Sequence, residues 1–212
     1  QVHRDFRKPM IVVSPKNLLR NKRCVSTLED MGPGTIFHRA FDEANPEISN
    51  NPGNVKVCLI IVMTMTLVVN TFHSSIVYAA CICHFLKTLV FCTGQIYYEL
   101  LAEREKLERT DVAVVRLEQI APFAFDKVAK YCAKYDNAEV VWAQQEPKNM
   151  GAYSYVTSRL MTATRELNKN EKRPRYVGRM VSSAPATGMT KIHAKEYAEI
   201  MHGVFGKPDG SS

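Results

Sequence analysis

Two short stretches carry side chains suited to gripping an anion, "SPKNLLR" from Ser14 and "QQEPKN" from Gln144. In the first, Ser14 precedes Pro15, the order of a helix N-cap and a proline at the first helical position, and Lys16 and Arg20 fall one helical turn apart. Such a helix start presents free N–H groups, and two cations beside it would favour a phosphate or carboxylate. In the second, Gln145 and Lys148 close an apolar run with an amide and an ammonium group. Ser14, Lys16, Arg20, Gln145 and Lys148 are therefore the candidate effector or anion-binding residues. A plain capping role for Ser14 competes with that reading.

Other reactive types are weaker signals. Glu118 with Gln119, and Gln145 with Glu146, put carboxylates where strands end, but ion pairs and helix ends use the same residues more often. Thr93 and Gly94 form a tight strand-to-helix turn, and one glycine does not make a phosphate loop. Cys81, Cys83, His84 and His73 lack the paired C-x(2 to 4)-C spacing of structural zinc. The six cysteines have no regular spacing and do not read as a disulfide framework. His193, near the start of the last helical pattern, reads as structural or surface. G-x-G-x-x-G, G-x-x-x-x-G-K-[ST], H-E-x-x-H and G-x-S-x-G do not occur in the sequence. No catalytic, cofactor-binding or metal-ligating residue is assigned.

The elements that would position these groups are legible as compact β-branched runs. Pro9 to Ser14, Thr88 to Gly94, Asp111 to Glu118, Ala138 to Glu146 and Arg175 to Arg179 read as five strands. After the second, third and fourth come helical patterns. These place Ile96, Leu100 and Leu107 on one face, then Phe125, Val128, Ala129 and Cys132, then Tyr153, Val156, Leu160 and Thr164. Ile192, Tyr197, Ile200, Met201 and Val204 mark a last amphipathic helix. Strand followed by helix three times predicts a mostly parallel five-stranded α/β sheet with helices on both faces. Asp30 to Asn54 shows no clean period and reads as a long surface loop.

With 46% hydrophobic and 23% charged residues, the composition is that of an ordinary globular domain. The net charge of +7 is spread from Arg4 to Lys207, so no nucleic-acid partner is expected. The chain opens on Gln1 without a charged leader and apolar run, and reads as a piece of something longer. Between Lys56 and Lys87 there is no Asp, Glu, Lys or Arg, a run longer than the roughly 20 residues that an α-helix needs to cross a bilayer. Its middle carries Asn70, His73, Ser74 and Ser75, which would sit expensively near the bilayer centre.

"FRKPMIVVSPKNLLR", "LVFCTGQIYYEL", "DVAVVRLEQIAPFAFD", "VVWAQQEPKNMGAYSYV" and "YVGRMVSSAPATGMTKIHAKE" follow one another in order. Together they resemble the C-terminal domain of the 2-oxoglutarate dehydrogenases, the thiamine-diphosphate-dependent first components of their complexes. The resemblance implies a transketolase C-terminal-domain-like fold. It also implies a parent enzyme that decarboxylates 2-oxoglutarate in the tricarboxylic acid cycle and passes succinyl to a lipoyl-lysine. The implied partners are the rest of the parent chain, a homodimer partner and the lipoyl succinyltransferase component, and the implied location is the mitochondrial matrix. That family holds thiamine diphosphate and Mg²⁺ through a G-D-G motif with a later Asn, which this sequence lacks, so this fragment is expected to bind neither and to be inactive alone. A structural, dimerising or effector-binding role follows, with a stand-alone nucleotide- or acyl-CoA-binding module as the alternative.

The resemblance implies that residues 57–88 are an apolar insertion foreign to the fold, since family sequences run almost directly into "LVFCTG". A translated intron accounts for it, with a lineage-specific insertion or a membrane anchor as the other readings. A crossing there would separate the first strand from the other four, so no membrane span is expected. The expected organisation is 1–56 for the first strand, helix and loop, 57–88 for the insertion, 89–205 for the remainder of the same domain, and 206–212 for a disordered tail.

Overall fold

Thr88–Cys92 is apolar or β-branched at every position and buried throughout, as befits a strand covered on both faces. In the computed structural model, which describes residues 5–9, 11, 16–50, 88–165 and 173–206, this strand is the centre of a five-stranded sheet. The strands are β1 (Ala40–Phe41), β2 (Thr88–Cys92), β3 (Val112–Leu117), β4 (Glu139–Pro147) and β5 (Arg175–Arg179), in the spatial order β1-β3-β2-β4-β5. β2 lies parallel to β3, with Thr88 opposite Val112, and to β4, with Phe91 opposite Trp142. β5 is parallel to β4, and only β1 runs antiparallel. The sheet is mostly parallel, as the strand-helix alternation predicts.

The connections are α2 (Gln95–Lys106), α3 (Phe125–Lys134) and α4 (Tyr153–Arg165), with α5 (Thr190–Phe205) closing the described chain. Alternation along the strands sends Leu89, Phe91, Val115, Leu117 and Trp142 into one core layer. There they meet Val128, Tyr131 and Cys132 of α3 and Tyr153, Val156 and Leu160 of α4. Val90, Val112 and Val114 point the other way and are also fully buried, with α2 and α5 packed against that side of the strands. Gly203 lets α5 close onto β5, since a Cβ there would lie 2.8 Å from Val177 Cγ1.

Several expectations need correction. Tyr153, Val156, Leu160 and Thr164 are buried as the spacing predicts, but Phe125 and Ile192 are exposed despite sitting on apolar stripes. Of the strand expected at Pro9 to Ser14 only Pro9 and Ile11 are described; residues 57–87 and 207–212 lie outside the described residues, and Thr88, expected to end the insertion, opens β2. Within the expected loop, β1 and the short helix α1 (Pro46–Ser49) form instead. Asn45 caps α1 by accepting from the Glu47 N–H at 2.9 Å, with proline following at the first helical position. No apolar period announces this stretch because polar anchors hold it. Arg39 pairs with Asp126 of α3, Lys134 Nζ lies 2.6 Å from Asp42, and Tyr135 donates to Asp42 at 2.9 Å.

By its contacts the chain divides into residues 1–37 and 38–212. In the first, the described structure is two one-turn 3-10 helices, Leu18–Arg20 and Glu29–Met31, neither with a buried residue. Everything else described above belongs to the second. Among the described residues no helix is long and apolar enough to cross a membrane.

Candidate functional site

The carboxyl ends of parallel strands are where open α/β sheets place ligands. Here that edge is occupied by the chain's own hydrogen bonds. Gln144, buried near the end of β4, directs its Nε2 to the carbonyls of Met150 at 2.8 Å, Pro147 at 3.0 Å and Glu146 at 3.2 Å. Its Oε1 accepts from Trp142 Nε1 at 2.9 Å and from the Tyr153 N–H at 3.1 Å. One side chain therefore ties the strand end, the following turn and the first residue of α4. Gly151, at φ +65°, allows the turn to pass over it, because a Cβ would stand 3.1 Å from both Gln144 amide atoms.

Beside it, Tyr176 of β5 donates to the Arg179 carbonyl at 2.7 Å, with the Glu146 carbonyl at 3.2 Å. Burial pushes its phenol up to about 12. Arg179 reaches Glu196 of α5 at 2.8 Å, Thr187 at 2.7 Å and the Pro185 carbonyl at 3.2 Å. The Thr187 hydroxyl, helped by Arg179, holds the Glu196 carboxyl below the ordinary range. Asn149 and Ser182 exchange hydrogen bonds at 2.9 and 3.1 Å, joining the turns after β4 and β5.

Next to β2, Arg116 of β3 lies among rings. Its guanidinium carbon is 4.4 Å from the Phe41 centroid, 4.8 Å from that of Tyr97 and 5.4 Å from that of Tyr98. It donates to the Tyr98 hydroxyl, and its Nε sits 2.6 Å from Glu118 in an ion pair whose N–H is not aimed for a hydrogen bond. Cys92 is fully buried, and desolvation raises its thiol far above the range of a nucleophile.

Of the residues expected to bind an anion, Ser14 lies outside the described residues. Lys16 sits in a turn and Arg20 ends the 3-10 helix Leu18–Arg20, whose start at Asn17 has no side-chain cap. Gln145 and Lys148 belong to the other unit. Gln145 donates to Glu99 at 2.7 Å, and Glu99 accepts from Gln95 at 2.7 Å as well. Lys148 is exposed, with Nζ 5.5 Å from the Tyr176 centroid. Glu118 is drawn to Arg116, and Gln119 donates to the Pro122 carbonyl at 2.7 Å. Among the described residues, no three His, Cys, Asp or Glu side chains converge as metal ligands would. Sequence reasoning missed Gln144 and Arg116. Their signals were a glutamine two residues after a tryptophan on one strand face, and an arginine interrupting the apolar run "VAVVRLE".

Fold and site together define a mostly parallel α/β domain in which, among the described residues, the carboxyl ends of β4 and β5 are tied together by internal polar contacts. A family model described as 2-oxoglutarate dehydrogenase C-terminal matches residues 71–205, and the chain belongs to that family. It is 39% identical over 209 residues to a mitochondrial 2-oxoglutarate dehydrogenase of Caenorhabditis briggsae, and 38% identical over 209 residues to that of Caenorhabditis elegans. Each match covers 98% of this chain and 17% of the relative. A 2-oxoglutarate dehydrogenase E1 component of Brucella anthropi is 34% identical over 207 residues, 97% of this chain and 18% of that protein. The chain therefore spans less than a fifth of the length of these relatives.

Proposed function

We propose that this chain works as the C-terminal, non-catalytic domain of a 2-oxoglutarate dehydrogenase E1 chain, supplying packing and contact surface to the parts that perform the chemistry. The observation that carries this reading is the internal hydrogen bonding at the carboxyl ends of β4 and β5. Gln144, Tyr176 and Arg179 spend their hydrogen bonds on backbone and neighbours, and Cys92 is held neutral. The parent reaction is then decarboxylation of 2-oxoglutarate with transfer of succinyl to the lipoyl-lysine of a succinyltransferase. Thiamine diphosphate acts there as the electron sink. The described residues do not fit that cofactor's diphosphate and Mg²⁺, since no three of their acidic, His or Cys side chains are grouped as cation ligands, and Asp42, Glu43, Asp126 and Glu196 each pair with an Arg or Lys. By kinship with the two Caenorhabditis proteins named mitochondrial, it would work in the mitochondrial matrix, with a second E1 chain and the succinyltransferase as its assembly partners.

Titration calorimetry of the purified chain with thiamine diphosphate and Mg²⁺, alongside a 2-oxoglutarate decarboxylation assay, tests the reading. Neither binding nor turnover is expected. Saturable binding at micromolar cofactor would overturn it.

A further inference from the structure

We propose that the described residues between 5 and 37 form an interaction arm whose partner is the portion of the parent E1 chain outside this domain. This rests on the reading of the chain as one part of an E1 protein. No described residue from 16 to 37 is buried, yet the segment is rich in large apolar side chains. Leu19 and Leu28 are each 81% exposed and Ile36 82%, and Ile11, Val25 and Phe37 are exposed as well. Isolated exposed apolar residues are common, but a whole segment without one buried member cannot offset the entropy of its own ordering.

Local structure is nonetheless set. The Thr27 N–H and hydroxyl donate to Asp30 Oδ2 at 3.0 and 2.9 Å, and the Asp30 N–H donates back to Thr27 Oγ1 at 3.3 Å. This reciprocal cap fixes the turn that carries Leu28 and Met31, both exposed among the described residues. Three observations choose the occupant. The contact boundary falls between Phe37 and His38. The family model of the C-terminal domain begins only at residue 71, whereas the relatives match over 97 to 98% of the chain, so the arm is shared with them but lies outside that domain model. Finally, more than four fifths of each relative lies outside the match, which leaves ample surface to receive it. Residues 1–37 contain seven Lys and Arg against three Asp and Glu, so the receiving face is apolar with an acidic rim.

The test is co-expression of this chain with the remainder of the Caenorhabditis elegans relative, the part outside the 209 matched residues. Limited trypsin digestion is read at Arg20, Lys22 and Arg23, all exposed in the arm. Cleavage should slow at least tenfold in the co-purified complex, and Leu19→Asp with Leu28→Asp should restore the fast rate while the complex still forms. Urea unfolding followed by Trp142 should be unchanged in that variant, because neither Leu19 nor Leu28 is buried. Fast cleavage in a complex that still co-purifies would overturn the arm's role and leave the domain reading intact. Absence of any complex would overturn both. Slow cleavage in the isolated chain at all concentrations would mean that the arm folds onto its own domain. Slowing that grows with chain concentration would make the occupant a second copy. Either result overturns the proposal.

Discussion

Replacing Glu43 by glutamine should cost this domain about 4 kcal/mol. Glu43 and Arg104 form an ion pair with side chains 0% and 5% exposed. The pair completes the edge of β3, where β1 contributes only two residues. Glu43 Oε2 accepts the Val114 N–H at 2.7 Å, and Arg104 donates to the Val112 carbonyl at 3.1 Å. Glu43 Oε1 also accepts from Arg104 at 2.8 Å and from the Asn45 N–H at 2.8 Å. Removing the charge leaves a buried guanidinium uncompensated, which costs about 3–5 kcal/mol. The glutamine keeps one acceptor oxygen, so it strands the Val114 N–H or the Asn45 N–H but not both, a cost that overlaps with that figure rather than adding fully to it. At about 2–4 °C per kcal/mol for a chain of this size, Tm should fall by roughly 8–16 °C. Urea unfolding followed by the fluorescence of Trp142, the single tryptophan and fully buried, gives the free energy directly. The slope with denaturant should not change. Glu43→Leu with Arg104→Met removes both charges but still orphans Val114 N–H and Val112 C=O, so it should cost about 2–3 kcal/mol, less than Glu43→Gln alone. A loss below about 1 kcal/mol for Glu43→Gln would refute this account of the β3 edge.

Gln144→Leu should destabilise by about 2–4 kcal/mol, chiefly by stranding the buried Trp142 Nε1–H and Tyr153 N–H, and should shift the native Trp142 emission; an unchanged urea midpoint would mean that water replaces the amide. The raised Tyr176 phenol favours the protonated form when folded, so its contribution is fully present below pH about 10, the unfolded value, and is lost as pH rises through about 12. Urea midpoints taken across that window should fall, and Tyr176→Phe should flatten part of the slope; an identical slope would exclude Tyr176 as a source. Deleting residues 57–87, to join Lys56 to Thr88, should leave a monomeric and cooperatively unfolding domain, because Thr88 already opens a strand paired on both sides and loop closure depends only weakly on length. Failure of the deletion variant to fold while the intact chain unfolds cooperatively would place those residues in the core.

What was legible in the sequence followed from local periodicity. Val112–Leu117, Glu139–Pro147 and Arg175–Arg179 appear within a residue of the runs that announced them; the first is apolar at nearly every position because it is buried on both faces, whereas Arg175–Arg179, buried only at Val177, was marked by its short β-prone run. The segment from His38 to Ser49 was not legible. Its place is fixed by Arg39, Asp42 and Glu43, each paired with a residue far along the chain, and no window of neighbouring residues contains such a partner. The candidate site failed for a related reason. Gln144 and Gln145 are adjacent and alike, and only the pleat decides that one turns inward to five partners while the other turns toward Glu99. Parity could have been read from Trp142, whose indole N–H requires an acceptor on its own face.

The edges of the sheet explain why polar side chains are placed where a simpler fold would use apolar ones. An open edge invites pairing with another chain, and proteins blunt it with short strands and charge. On one side β1 lasts for two residues, after which Glu43 and Arg104 occupy the donor and acceptor that a longer strand would have offered to a partner. On the other side β5 begins and ends with arginines. Arg175 is drawn to Glu139 and the Gly203 carbonyl, and Arg179 to Glu196 and Thr187, so each guanidinium pins the edge strand to its neighbouring strand or to α5. Strand addition is thereby disfavoured at both edges. Among the described residues, the segment before His38 presents large apolar side chains without a core of its own, which is what the proposed arm requires.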